Sequence, residues 1–178
     1  LGCQMKPVEM DAHGMNVRLL EESGADIAYV MPSHQYPMGV VMPVKRRQEL
    51  LSWAGRGEKR YLIEDDYDSE FRYRGKPVPA LQGMDIQGKV IYMGTFSKSI
   101  APAIRVGYLV LPAPLLAVYK RKCGFYASTV SRIDQKIIYQ FLTEGHYERH
   151  LNRMRAIYKG KHDMLMSELK TLGTEFIV

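Results

Sequence analysis

The sequence predicts an α/β fold, with a mostly parallel sheet and flanking helices. Short apolar runs of strand length alternate with amphipathic stretches of helical spacing, an order typical of a sheet whose faces are covered by helices. The 178 residues are 46% hydrophobic and 25% charged, which is the balance of a folded domain. Polar clusters follow three of the apolar runs, as expected where strands end at a ligand crevice.

The predicted strands are short runs of mostly apolar residues. In order along the chain they cover residues 6–10, 27–30, 61–63, 90–93 and 106–110. A run of this length without helical spacing is typical of a buried strand. Helices are predicted between the strands and along the last third of the chain.

Glycine and proline mark the predicted helix boundaries. A helix over 17–22 should end at Gly24, because glycine adopts the left-handed conformation that closes many helices. Pro43 suits the start of the next helix, where its missing N–H would have no partner anyway. Residues 133–172 are nearly all compatible with helix, apart from a break near Gly145.

The net charge of +6 does not by itself indicate a nucleic-acid surface. The basic residues are spread along amphipathic segments, which is typical of solvated helix faces, and the sequence has no zinc-finger spacing or helix-turn-helix pattern. The most apolar stretch, 108–119, is short and contains two prolines, so no membrane span is predicted. The two cysteines have no metal or redox spacing, and a cytoplasmic location is expected.

Three polar clusters contain the residues that could bind a ligand or take part in catalysis. They occupy positions 32–39, 64–68 and 94–98, and Arg105 follows the last of them. Hydroxyls at Thr95 and Ser97 lie beside Lys98, and hydroxyls with a nearby guanidinium suit a phosphate group. A lysine amine beside a phosphate site fits an imine-forming lysine of a pyridoxal 5'-phosphate (PLP) protein.

Asp65 and Tyr67 supply the second half of this hypothesis. Asp65 follows the predicted strand 61–63 and lies 33 residues before Lys98, a crossover long enough to bring both strand ends to one crevice. A carboxylate held against the pyridine nitrogen of PLP keeps that nitrogen protonated. The Tyr67 hydroxyl would then hydrogen-bond the phenolic oxygen of the ring.

These motifs resemble those of a known family. The segment 94–108, with Thr95, Lys98 and Arg105, is similar to the lysine signature of class I/II, fold-type I aminotransferases. Together with 32–43, 63–73 and 145–155, the chain resembles the MocR/GabR-type transcription regulators of the GntR family. Those proteins join a winged helix-turn-helix to an aminotransferase-like domain.

The resemblance implies roles for six residues. Lys98 would be the catalytic residue and form the aldimine, Asp65 would pair with the pyridine nitrogen and Tyr67 with the phenolic oxygen. Arg105, Thr95 and Ser97 would hold the phosphate. Residues 1–127 would form the central part of the large PLP-binding domain and 128–178 a helical connector into the small domain. The DNA-binding domain and most of the small domain would lie outside this chain.

Three functions stay open at this point. The first is an effector domain that senses an amine or amino acid through aldimine exchange at Lys98, as a homodimer that reaches DNA only through another domain. The second is a working aminotransferase, and the third is a dimerisation scaffold without cofactor. Tyr36 stands where many aminotransferases carry an asparagine that contacts the ring oxygen, and His34 is a weak substitute.

Metal binding is the main alternative for the acidic residues. Carboxylates at 64, 65, 66, 68 and 70 suit a divalent cation by their chemistry alone. His146 and His150 are one helical turn apart, although no third ligand is evident. The lysine motif favours the PLP interpretation over both.

Overall fold

The computed structural model describes residues 2–71 and 78–171. Its strands are β1 Met10–Asp11, β2 Gly14–Met15, β3 Ile27–Val30, β4 Tyr61–Asp66, β5 Val90–Thr95 and β6 Gly107–Val110. Its helices are α1 Val17–Ser23, α2 Val44–Gly55, α3 Leu81–Met84, α4 Ala113–Cys123, α5 Arg132–Thr143 and α6 His146–Thr171, with a 3₁₀ turn at Pro102–Ile104.

The central sheet has four strands in the order β3-β4-β5-β6. The pairs β3–β4 and β4–β5 are parallel, and α2 lies in the connection between the first of these pairs. β5 and β6 are antiparallel, with Gly94 opposite Tyr108. The link between them contains turns and the 3₁₀ segment instead of a crossover helix, so β6 returns alongside β5 in the opposite direction.

One face of this sheet forms the hydrophobic core. Ala28, Val30, Leu62 and Val90 point to this face, where they pack against helix residues that include Trp53. Leu62, Trp53 and Leu50 are fully buried. A buried apolar cluster of this kind is the main stabilising feature of an α/β layer.

The opposite face of the sheet carries a different set of side chains. Three neighbouring strands contribute one paired row to this face: Tyr29, Ile63 and Ile91. Leu109 on β6 lies on the same face and is paired with Met93. Tyr29 is 46% exposed and Leu109 55% exposed, so this face is only partly covered. Asp65 lies on it, since side chains alternate between faces along β4.

The helix boundaries follow the predicted signals closely. The Asn16 side chain caps α1 by accepting from the backbone N–H groups of Arg18 and Leu19, and Gly24 closes the helix in the left-handed conformation. α2 begins directly after Pro43. The strand predicted over 6–10 is wrong except for Met10, which pairs with Met15 in a short antiparallel hairpin of two-residue strands.

The last third of the chain is helical, as predicted. α5 and α6 meet at Gly145, whose φ of 71° is in the left-handed region, and they pack on each other. In the part of the chain that the structure describes, no helix is both long and apolar enough to cross a membrane. The division into two domains at residue 127 stays a prediction.

Candidate functional site

The Lys98 turn starts where β5 ends, at the carboxyl edge of the sheet. The Ser97 backbone N–H donates to the Thr95 Oγ1 at 3.1 Å, and the Phe96 N–H donates to the Val106 carbonyl at 2.9 Å. The Thr95 hydroxyl donates to the same carbonyl at 3.3 Å. These bonds tie the turn to the segment that follows Arg105 and fix the base from which Lys98 extends.

The Lys98 ammonium contacts two residues from the end of β4. Its Nζ donates to Asp68 Oδ2 at 3.0 Å and lies 4.7 Å from the centre of the Tyr67 ring. The second distance is within the range of a cation–π interaction. The Lys98 side chain is 54% exposed, so its amine is accessible from solvent.

Asp68 is held from its other side by His34. His34 Nδ1 lies 2.7 Å from Asp68 Oδ1, and the Tyr67 hydroxyl donates to the His34 carbonyl at 2.8 Å. Burial alone would raise the pKa of the Asp68 carboxyl, but the hydrogen bonds from His34 and Lys98 outweigh it and hold that pKa below its usual value. Asp68 is therefore an anion next to the lysine amine.

A cavity of about 600 Å³ opens in front of this group. His34, Asp68 and Lys98 line one part of it, and Tyr158 and His162 of α6 line another. The volume falls within the range of small-molecule and cofactor sites, roughly 300–1,000 Å³. Aromatic walls with a few polar groups are typical of such sites.

The six predicted cofactor residues all lie in the described part of the chain, but the structure brings only some of them together. Tyr67 and Lys98 line the cavity, whereas Asp65, Thr95, Ser97 and Arg105 do not. Asp65 and Thr95 share the partly covered face of the sheet, near the ends of neighbouring strands. The structure thus places Lys98 and Tyr67 at the cavity wall and the other four residues outside its lining.

Asp65 and Arg105 each have a distinctive local setting. The Tyr29 hydroxyl donates to Asp65, and burial together with this bond raises the pKa of Tyr29 to about 12. Arg105 follows the 3₁₀ turn with a φ of 47°, a left-handed conformation that costs a non-glycine residue about 1 kcal/mol or more. Functional sites often retain backbone strain of this kind.

The Thr95 hydroxyl is already engaged. It accepts from Ser97 and donates its one proton to the Val106 carbonyl, so this arrangement leaves no hydroxyl proton for a phosphate. In this conformation Thr95 shapes the turn. Its predicted phosphate contact requires the hydroxyl to rotate.

The acidic residues do not converge on a metal site. The Glu64 carboxylate is buried and accepts from the backbone N–H groups of Leu81 and Gln82, while Asp66 accepts from Tyr92 and Ser69. Across residues 2–71 and 78–171, no three His, Cys, Asp or Glu side chains are grouped to hold a metal ion. Residues 72 and 73 of the matched motif lie outside the described residues.

The family model for aminotransferase class I and II matches residues 3–178. The chain belongs to this family. It is 42% identical over 164 residues to the uncharacterized HTH-type transcriptional regulator YdeL of Bacillus subtilis, covering 92% of this chain and 35% of that protein. It is 36% identical over 166 residues to the probable rhizopine catabolism regulatory protein MocR of Rhizobium meliloti, covering 93% and 34% respectively.

Solved aminotransferases share the fold. Kynurenine aminotransferase of Pyrococcus horikoshii, solved with PMP, aligns with a TM-score of 0.78 and 29% identity over 94% of this chain and 44% of that one. The predicted fold class and the predicted resemblance to MocR-type regulators are both confirmed. The chain spans about a third of the length of the curated relatives described above.

PLP is the cofactor of the family, as predicted from the sequence. The residues present fit this group, because an accessible lysine amine and a tyrosine ring line a cavity of suitable size. Asp68, Tyr158 and His162 were not predicted as site residues. Asp68 follows Tyr67 by one position and could have been found by its proximity, whereas nothing in the sequence placed α6 across the cavity.

Proposed function

We propose that this chain is the PLP-binding, aminotransferase-like effector domain of a MocR-type transcription regulator, and that it responds to an amine or amino acid. The observation that carries the proposal is the Lys98 amine, accessible at the wall of the cavity and held by Asp68 and Tyr67. The similarity to YdeL and MocR supports a regulatory role over a purely metabolic one.

The chain's own residues would hold the cofactor as follows. Lys98 would hold the cofactor through its amine, and the cofactor, when bound, would supply an electrophilic carbon for an incoming amine. Asp65 would keep a proton on the pyridine nitrogen, and Tyr67 would orient the ring through its hydroxyl once that hydroxyl turns away from the His34 carbonyl. Arg105 and Ser97 would contact the phosphate, with Thr95 joining after rotation of its hydroxyl.

The regulatory part of the proposal concerns the whole protein. An amine that binds one conformation of the domain better than another shifts the population between them, and an attached DNA-binding domain would follow. DNA contact would come through that other domain, the whole protein would be a homodimer, and the location would be cytoplasmic. The net charge is distributed along the helices and does not argue for DNA binding by this chain itself.

A working aminotransferase is the second candidate. The similarity to kynurenine aminotransferase favours it, as does an accessible lysine amine at the cavity wall, since an amine of this kind can act as a proton carrier. Turnover of an amino acid with a keto acid acceptor would distinguish it from a sensor. A scaffold without cofactor is the third candidate, which the presence of Lys98, Tyr67 and Arg105 argues against.

The test is a borohydride trapping experiment on the complete protein with added PLP. Borohydride reduction should leave the cofactor covalently attached to Lys98, located by peptide mass spectrometry, with an absorbance band near 400 nm beforehand. Lys98→Ala should lose both signals, whereas Lys89→Ala, which removes a lysine directly before β5 at the opposite end of that strand, should keep them. A wild-type protein with no band and no adduct would overturn the cofactor proposal.

A further inference from the structure

We infer that Asp68 is a positioning residue that receives the Lys98 ammonium whenever the lysine is not bonded to the cofactor, and so sets how readily an amine displaces Lys98. This inference rests on the proposed function and deepens it. Lys98 is released in the same way whichever amine replaces it. The inference therefore does not depend on which amine is the natural effector.

The first step of the argument is that Asp68 forms a ready-made site for an ammonium group. Its Oδ2 lies 3.0 Å from Lys98 Nζ, and the Tyr67 ring lies 4.7 Å from the same nitrogen. The Asp68 side chain is only 15% exposed. A carboxylate and an aromatic face together bind a cation better than either does alone.

The second step concerns what holds the carboxylate in place. His34 Nδ1 contacts Asp68 Oδ1 at 2.7 Å, so the Oδ2 atom stays directed toward Lys98. The Tyr67 hydroxyl in turn donates to the His34 carbonyl at 2.8 Å. The contact between the His34 ring and Asp68 does not involve Lys98, so His34 can hold the carboxylate after the lysine has moved away.

The third step is the balance of the exchange. When an ammonium ligand displaces the lysine, a bond forms between the ligand nitrogen and the cofactor's imine carbon, and the bond from Lys98 Nζ to that carbon breaks. The ligand nitrogen gives up two of its three protons, and both end on Lys98 Nζ. Lys98 Nζ already carried one proton as part of the imine, so it leaves as an ammonium with three protons, and the total charge is unchanged. Asp68 stabilises the released Lys98 ammonium. While Lys98 is bonded to the cofactor, it offers Asp68 no ammonium group to bind.

The consequence is a shift of the exchange toward the amine-bound state. A hydrogen bond to a charged group in a partly buried site is worth about 1.5–3 kcal/mol, which corresponds to roughly tenfold or more in an equilibrium constant. An asparagine at the same position could still accept a hydrogen bond but would carry no charge. The released lysine would therefore be less stable, and Lys98 would hold the cofactor more tightly against amines.

The experiment uses the complete protein loaded with PLP and ethylamine as the probe, because ethylamine has no second functional group. After equilibration, borohydride fixes the distribution, and mass spectrometry measures the fraction of cofactor on Lys98 against the fraction on ethylamine. The half-point is the ethylamine concentration at which half of the cofactor has moved from Lys98 to ethylamine. In Asp68→Asn, this half-point should rise about tenfold. Asp68→Glu should stay closer to wild type because it keeps the charge.

Two further variants make the result decisive. Glu22→Gln removes an exposed carboxylate paired with Arg18 on α1 and should leave the half-point unchanged. His34→Ala keeps the backbone contact of Tyr67 but frees Asp68 from its second partner, and should raise the half-point roughly two- to threefold. If Asp68→Asn fails to fold, His34→Ala decides the question.

The outcomes separate the two proposals. No adduct on Lys98 in the wild type without ethylamine would overturn the proposed function itself. A wild-type adduct together with an Asp68→Asn half-point within twofold of wild type would overturn the role of Asp68 alone. An unchanged half-point in His34→Ala, where Asp68→Asn does not fold, would also overturn it.

Discussion

Glu70 lies where α6 approaches the end of β4, two residues beyond Asp68. Its Oε1 accepts from the Tyr147 hydroxyl at 3.3 Å, and its carbonyl accepts from Arg155 Nε at 2.7 Å. Burial raises the pKa of the Glu70 carboxyl, and the neighbouring charges of Asp66 and Asp68 raise it further. The ionised form of this side chain is therefore less favourable in the folded chain than in the unfolded chain.

Glu70→Gln should stabilise the chain near neutral pH. A carboxyl whose pKa is raised on folding contributes its stability fully below its unfolded pKa and loses it as the pH rises through the folded pKa. Glutamine does not ionise, so the variant does not lose stability as the pH rises. The free energy of unfolding of Glu70→Gln should therefore exceed that of wild type by roughly 1 kcal/mol or less near pH 7. Urea unfolding of both proteins measures the difference.

The pH dependence provides the check on this explanation. Well below the ordinary glutamate pKa of 4.5, Glu70 is protonated in both the folded and the unfolded chain, and the advantage of the glutamine should disappear. Glu22→Gln, at an exposed ion pair, is the control and should change stability little at either pH. An advantage of Glu70→Gln that is equal at both pH values would mean that the carboxyl's ionisation is not its cause.

The site residues differ in how far the sequence could place them. Lys98 and Tyr67 were predicted to share a crevice, and they do, because each follows the carboxyl end of a neighbouring parallel strand. Asp65 was predicted beside them, but strand alternation puts it on the other side of β4 from the buried residues Glu64 and Asp66. Its predicted contact with the cofactor stays a prediction.

At the scale of single elements, α1 depends on its cap. The helix is seven residues long, and a helix this short is not stable from propensity alone. Asn16 Oδ1 accepts from Arg18 N at 3.1 Å and from Leu19 N at 3.2 Å, while Leu20 is buried in the core. The cap therefore fixes the helix that delivers Leu20.

Asn16→Ala should lower the free energy of unfolding by about 1 kcal/mol, because it leaves the first-turn N–H groups without their side-chain acceptor. Asn16→Asp is the matched control, since aspartate accepts the same hydrogen bonds and its charge suits a helix N-terminus. Urea unfolding of the three proteins measures both effects. Equal losses in the alanine and aspartate variants would show that the cap does not contribute as described.

At the scale of the whole chain, the alternation of strands and helices was enough to predict the fold class. The antiparallel direction of β6 was not predicted, although the short link after β5 argues against a parallel return. The position of α6 was beyond reach from the sequence. It depends on long-range contacts such as Arg155 with the Glu70 carbonyl, 85 positions apart, which leave no local pattern.

The partly covered face of the sheet has a consequence for the isolated chain. Ile27 is 53% exposed and Leu109 55% exposed, and Ile63 and Ile91 lie between them on the same face. A contiguous apolar surface of this kind promotes association. We expect the 178-residue chain by itself to self-associate and to bind a hydrophobic dye.

Leu109→Lys should reduce both effects, because it places a charge on the edge strand of this face. Ile86→Lys is the control, since Ile86 is 96% exposed but lies in the loop between α3 and β5, away from the sheet. Light scattering measures the association and dye fluorescence measures the exposed surface. If Ile86→Lys reduced the association as much as Leu109→Lys, general charge would be the cause and the sheet face would not be the contact surface.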